Sequence, residues 1–130
     1  MKDFSVLLIE DNKDDEWLTL RSLKKLGLEN VSVARDGRTA LCMLLGDQET
    51  GEQVSCTPDL IMLDLRLPKI DGLDVLRKIR TDPVLGEVKV CVLTSSEDPN
   101  DMDVCRNLGV LEFFSKPLDE KRMMACNFAG

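Results

Sequence analysis

The chain has no histidine and no tyrosine, a single tryptophan, and only 4% aromatic residues in 130. Without histidine it cannot supply an imidazole base, a Ser-His-Asp triad or a His-ligated metal from its own residues. Any imidazole or phosphohistidine chemistry has to involve another molecule. Bases are also in short supply: 17 against 24 acids, a formal charge of −7. That deficit counts against nucleic acid or an anionic membrane surface as a direct partner. No run approaches the ~20 apolar residues of a membrane helix. The apolar start, Val6 to Ile9, is too short for a signal-peptide core and ends at Glu10 and Asp11. The chain therefore reads as cytoplasmic. Its five cysteines (Cys42, Cys56, Cys91, Cys105, Cys126) include no Cys-x-x-Cys pair, so neither a zinc site nor a dithiol redox motif is indicated. They read as small hydrophobes. No glycine-rich phosphate loop occurs, which weighs against dinucleotide or nucleoside-triphosphate binding.

What is present is a regular alternation. Val6–Ile9, Leu60–Leu63 and Val88–Leu93 are short runs that are almost wholly apolar. Such runs suit central strands of a parallel sheet, buried on both faces. Val31–Ala34 and Val110–Phe114 are weaker strand candidates. Helix-period segments lie between them. Trp17, Leu20, Leu23 and Leu26 share one face, with Gly27 as a stop. Asp14 and Asp15 suit the first turn of that helix. Thr39–Leu45 carries the second helix, and Leu73, Val75, Leu76 and Ile79 the third, which Asp82-Pro83 ends. Met102, Val104, Cys105 and Leu108 mark a fourth, opened by Asp98-Pro99. A fifth, short helix spans about Asp119 to Phe128, with Met123, Met124, Ala125 and Phe128 as its apolar face. Strand-helix repeated five times predicts the doubly wound α/β class, a parallel sheet with helices on both faces. Gly46 to Thr57 is a polar connection of roughly 12 residues, long for such a loop. No composition shift marks a second domain, so residues 1–130 read as one domain.

Ligands of open α/β sheets bind outside the carboxyl ends of the strands, so the residue after each strand matters. Glu10 and Asp11 follow the first strand, and Asp64 ends the third. Thr94, Ser95 and Ser96 follow the fourth, and Lys116 and Pro117 the fifth. Three carboxylates, a hydroxyl and an ammonium converge on one edge. Three like charges within a few ångströms repel by on the order of several kcal/mol at intermediate dielectric. Either their pKa values rise or a cation sits among them. An all-oxygen site open to water suits Mg²⁺. Asp64 could then act as a carboxylate nucleophile toward a phosphoryl group, giving an acyl phosphate. The cation and Lys116 would neutralise charge on the phosphoryl oxygens, and the Thr94 hydroxyl could hydrogen-bond one of them. Taken singly, each residue has a plainer reading: Asp11 could cap the following helix, and Lys116 could be exposed. Their joint position on one end of the sheet favours a site.

The residues Leu7-Leu8-Ile9-Glu10-Asp11-Asn12, Pro58-Asp59-Leu60-Ile61-Met62-Leu63-Asp64, Leu67-Pro68-Lys69-Ile70-Asp71-Gly72, Val92-Leu93-Thr94-Ser95 and Phe114-Ser115-Lys116-Pro117 resemble the response-regulator receiver domain of two-component signalling. The likeness covers essentially the whole chain. It implies a flavodoxin-like sheet of five parallel strands in the order 2-1-3-4-5. It also implies Mg²⁺ held by Glu10, Asp11, Asp64 and the backbone carbonyl of Arg66. Asp64 is the implied phosphoacceptor, with Thr94 and Lys116 on the phosphoryl group. The implied donor is the phosphohistidine of a sensor histidine kinase or phosphotransfer protein, and the implied reader is a downstream protein target. The Lys116-Pro117 peptide is commonly cis in the family. Thr94 and Phe113 occupy the positions of its switch pair. Phe113 lacks a hydroxyl, so readout there would be steric; core packing is the plainer reading. Asp14-Asp15, the Leu-x-x-Leu-Lys-Lys-Leu-Gly-Leu run and the polar insert resemble stand-alone receivers that pair with phytochrome-type histidine kinases.

Departures from the pattern matter. Glu10 stands where Asp is commoner and reaches further toward a metal. Arg66 is bulky and cationic beside the phosphoacceptor, placed to shield an acyl phosphate, form a salt bridge or simply face solvent. Thirteen residues follow Pro117, which leaves the last helix short and the chain a monomer or weak dimer. The implied role is a receiver without an output domain that catalyses only its own phosphorylation and dephosphorylation. The alternatives are a degenerate receiver that binds without being phosphorylated and an aspartate-nucleophile hydrolase. The hydrolase wants a second acid two residues after the nucleophile, where this chain has Arg66.

Overall fold

The computed structural model describes residues 4–46, 51, 57–68, 70–95 and 98–129. Within them, β1 (Ser5–Ile9), β2 (Asn30–Ala34), β3 (Leu60–Leu63), β4 (Lys89–Thr94) and β5 (Glu112–Ser115) alternate with five helices. These are α1 (Lys13–Lys25), α2 (Gly37–Leu45), α3 (Gly72–Thr81), α4 (Pro99–Asn107) and α5 (Glu120–Ala125). The strands form one parallel sheet in the order β2-β1-β3-β4-β5, the order the resemblance implied.

The period of two along each strand divides the core. Leu7, Ile9, Ile61, Leu63, Val90 and Val92 face Ala40 and Leu44 of α2, Val75, Leu76 and Ile79 of α3, and Cys105 of α4. Val6, Leu8, Leu60, Met62, Cys91, Leu93 and Phe114 face Leu23 of α1 and Met123 of α5. Both faces of β1, β3 and β4 are covered, which is why their sequences show apolar runs without alternation. Cys91 and Cys105 are buried and Cys42 and Cys126 half-buried, in keeping with their reading as hydrophobes; Cys56 lies outside the described residues.

Every helix opens on an Asx cap: Asn12, Asp36, Asp71, Asp98 and Asp119 each accept a backbone N–H from the first turn. Such a cap contributes about 1 kcal/mol. Asn12, not Asp11, caps α1, which leaves Asp11 free of that duty and exposed at the sheet edge. Some sequence expectations shift. Trp17 is 60% exposed, with the Arg21 guanidinium 5.6 Å above its ring, so the buried face of α1 is Thr19 and Leu23. β5 begins at Glu112 rather than Val110, and α5 ends at Ala125. Met124 is 70% exposed, whereas Met123 and Phe128 pack inward. Of the polar connection, residues 47–50 and 52–56 lie outside the described residues, as do Lys69 and Ser96. No helix among the described residues is long and apolar enough to cross a membrane.

Candidate functional site

Parallel pairing runs one residue past the strands and sets the site. The Glu10 amide donates to Ala34 O at 2.9 Å, the Asp64 amide to Ile9 O at 3.1 Å, and the Lys116 amide to Thr94 O at 2.9 Å. Glu10, Asp64 and Lys116 are thereby brought side by side at the carboxyl edge, with buried Thr94 at the end of β4. The Lys116–Pro117 peptide is cis.

Lys116 is the centre of the charge cluster. Its Nζ donates to Asp64 Oδ2 at 2.8 Å and to Asp15 Oδ2 at 2.9 Å. It also lies 2.6 Å from Glu10 Oε1. That third approach is an ion pair to a buried oxygen. The Arg66 amide donates to Asp64 Oδ1 at 3.0 Å, so both oxygens of that carboxylate are oriented. The Asn12 amide donates to Glu10 Oε2 at 3.2 Å.

Burial dominates the electrostatics of Glu10 and pushes its pKa from the ordinary 4.5 up to about 7, against the pull of Lys116 and with the push of Asp64. Burial alone would lower the pKa of Lys116. Hydrogen bonds to Asp15 and Asp64 and the contact with Glu10 outweigh it and hold the ammonium charged.

One oxygen each from Glu10, Asp11 and Asp64 lies within 4.8 Å of the others. Octahedral Mg²⁺ with metal–oxygen distances near 2.1 Å spans ~4.2 Å between opposite oxygens. The spacing of the three acids is compatible with such an ion. The buried Glu10 carboxylate could supply one ligand oxygen in exchange for its contact with Lys116, and the all-oxygen donor set is what a hard cation takes. Arg66 projects outward, 59% exposed, with its guanidinium 3.5 Å from Asp101 Oδ2 on α4. Phe113 is half-buried and faces away from this cluster. With Met102, Arg106, Val110 and Arg122 it lines a surface cavity of about 310 Å³ beside α4. Glu10, Asp11, Asp64 and Lys116 are thus brought together, with Thr94 at the end of β4 and the Arg66 amide on Asp64, whereas Phe113 lines the cavity beside α4. From the sequence, Asp15 reads as a first-turn acid and, with Asp14, as part of the resemblance to stand-alone receivers, with no role at the site. Its place three residues after the Asn12 cap, in the first turn of the helix that leaves the acidic strand end, is a signal that could have suggested it.

The profile described as the response regulator receiver domain matches residues 6–126. Rcp1 of Synechocystis sp. is 38% identical over 113 residues, covering 85% of this chain and 75% of that one. Among solved structures, the bacteriophytochrome response regulator AtBRR superposes with a TM-score of 0.80 at 38% identity, over 94% of this chain and 88% of that one. The Mn²⁺-bound form of Rcp1 gives 0.78 at 34% identity, over 93% and 86%. With the sheet order, the acid cluster and the profile in agreement, the chain belongs to the response regulator receiver domain family of two-component phosphorelay signalling.

Proposed function

We propose that this receiver takes a phosphoryl group onto Asp64 from the phosphohistidine of a sensor kinase or phosphotransfer protein. The observation that carries the proposal is the Lys116 ammonium, bonded to Asp64 beside Glu10 and Asp11 at the carboxyl edge. An Asp64 oxygen forms the O–P bond as the donor's N–P bond breaks, and the imidazole nitrogen recovers the electron pair. Glu10, Asp11, Asp64 and the Arg66 carbonyl would hold Mg²⁺, which when bound supplies positive charge for the phosphoryl oxygens. The Arg66 amide and Lys116 orient the carboxylate. Lys116 neutralises one phosphoryl oxygen, and the Thr94 hydroxyl donates to another. Movement of Thr94 would be transmitted to Phe113 on the adjacent strand. The α4–β5 surface is then what a downstream protein reads. Likeness to AtBRR supports a phytochrome-type kinase as the partner.

The test is intact-mass measurement after incubation with Mg²⁺ and acetyl phosphate. A single phosphoryl adduct is expected, lost with hydroxylamine, with chelator and in Asp64→Asn. An absence of adduct with every donor would sink the proposal in favour of a binding module that is not phosphorylated.

Arg66 supplies a separate expectation. Its side chain reaches from the Asp64 loop to Asp101 on α4, and we propose that this pairing limits access of water to an acyl phosphate on Asp64. Arg66→Ala is expected to shorten the acyl-phosphate lifetime several-fold by admitting water. Decay curves of the two phosphoproteins that superimpose would refute it.

A further inference from the structure

One carboxylate at the cluster is unused by the reading above. Asp15 stands in the first turn of α1, and its amide is fixed by the Asn12 side chain at 3.0 Å. Its own Oδ2 receives a hydrogen bond from Lys116 at 2.9 Å. Of the three carboxylates that touch the ammonium, Glu10 and Asp64 belong to the group whose oxygens converge as cation ligands, and Asp15 does not. The three contacts therefore have different fates. A bound cation would compete with Lys116 for oxygens of Glu10 and Asp64, and phosphorylation would convert the Asp64 carboxylate to an acyl phosphate. The bond to Asp15 is the one for which neither the cation nor the phosphoryl group competes. A lysine side chain has four flexible torsions, and its ammonium is strongly hydrated. Released from two of three partners, it would swing toward the water beyond the cavity that Leu18, Thr19, Pro117 and Leu118 line next to it.

We propose that Asp15 is a positioning residue, which retains the Lys116 ammonium beside Asp64 while Glu10 and Asp64 turn to the cation and the phosphoryl group. The inference rests on the phosphoacceptor reading of Asp64. Asp15 touches neither the phosphoryl group nor the metal and acts through Lys116. The ammonium keeps one hydrogen on Asp15, and the other two are free for the phosphoryl oxygens. This adds a fourth acid to the site, and with it a reason for an acid at that point of the helix.

Two measurements on the full chain test it. The first is NMR of the Lys116 ammonium in metal-free protein and after Mg²⁺ addition. In wild type the signal stays protected from solvent exchange in both. In Asp15→Ala it is protected without Mg²⁺ and exchanges rapidly with it. Protection that survives Mg²⁺ in the variant overturns the inference. The second is the rate of adduct formation from acetyl phosphate at saturating Mg²⁺. Asp15→Ala is expected to be slower by about tenfold, Asp15→Asn to recover part of the loss, and Asp15→Ala to cause no further loss in a Lys116→Met background. Equal rates, or an undiminished loss in that background, overturn it. If wild type itself forms no adduct, the phosphoacceptor reading falls, and this inference with it; wild-type adduct with an indifferent Asp15 overturns this inference alone.

Discussion

Lys116→Met is expected to destabilise the metal-free protein by about 3–5 kcal/mol, the cost of removing one partner from a buried ion pair. Mg²⁺ is expected to return most of that loss. Lys116 is 11% exposed, and its partners Glu10 and Asp64 are 1% and 5% exposed. Methionine fills similar volume but leaves two carboxylates facing each other without a cation. A protonated Glu10 relieves the repulsion, so the penalty depends on pH. The folded-state pKa of Glu10, about 7, exceeds its unfolded value. Its contribution is therefore fully present below the ordinary carboxylate range and is lost as pH rises through about 7. Without the ammonium the pKa climbs further, so the deficit should be small near pH 5 and largest above pH 7. Urea denaturation in chelator and in Mg²⁺, at several pH values, reads this directly. A deficit that is flat with pH and indifferent to Mg²⁺ would show that Lys116 matters through packing alone.

The strength of the sequence signal varied with how local its cause is. β1, β3 and β4 were legible because burial on both faces writes itself into consecutive residues, as in Val6–Ile9 and Leu60–Leu63. β5 was misjudged at its start because Leu111 already bonds Val90 O without being in the strand, a distinction composition does not carry. Trp17 departs from the sequence pattern for a physical reason. An apolar ring at helical spacing predicts burial, yet the inward side of α1 is taken by Thr19 and Leu23, and the ring is covered by Arg21 instead. Glu10, Asp11, Asp64, Thr94 and Lys116 could be listed from the strand ends, because one topological rule places them all on the same edge. Arg80 could not. Its guanidinium donates to the carbonyls of Gly86, Val88, Leu108 and Gly109, fastening α3 to the end of α4 and the start of β4. Nothing around Arg80 in the sequence announces those acceptors, since two of them lie on a different helix-strand unit.

Gly72 joins fold and site, and Gly72→Ala is expected to destabilise by roughly 3 kcal/mol or more. Alanine is the better helix former by about 1 kcal/mol in a helix interior; at Gly72, the first residue of α3, propensity predicts a smaller gain. Packing reverses the sign. A Cβ at Gly72 would stand 2.5 Å from Leu65 Cα and 2.6 Å from the Asp64 carbonyl oxygen. Both are backbone atoms, which cannot swing aside as a side chain does. The Gly72 amide also donates to Leu65 O at 3.1 Å, so the helix start cannot withdraw without losing that bond. Relief therefore comes from moving the Asp64–Arg66 loop, which carries the Asp64 carboxylate and the Arg66 amide that orients it. The variant should thus lose stability and also form the Asp64 adduct more slowly. Mg²⁺ should not restore the stability beyond its effect on wild type, which separates this steric fault from the charge fault at Lys116. A Gly72→Ala protein as stable as wild type in urea, with an unchanged phosphorylation rate, would mean that α3 can shift away from the loop at little cost.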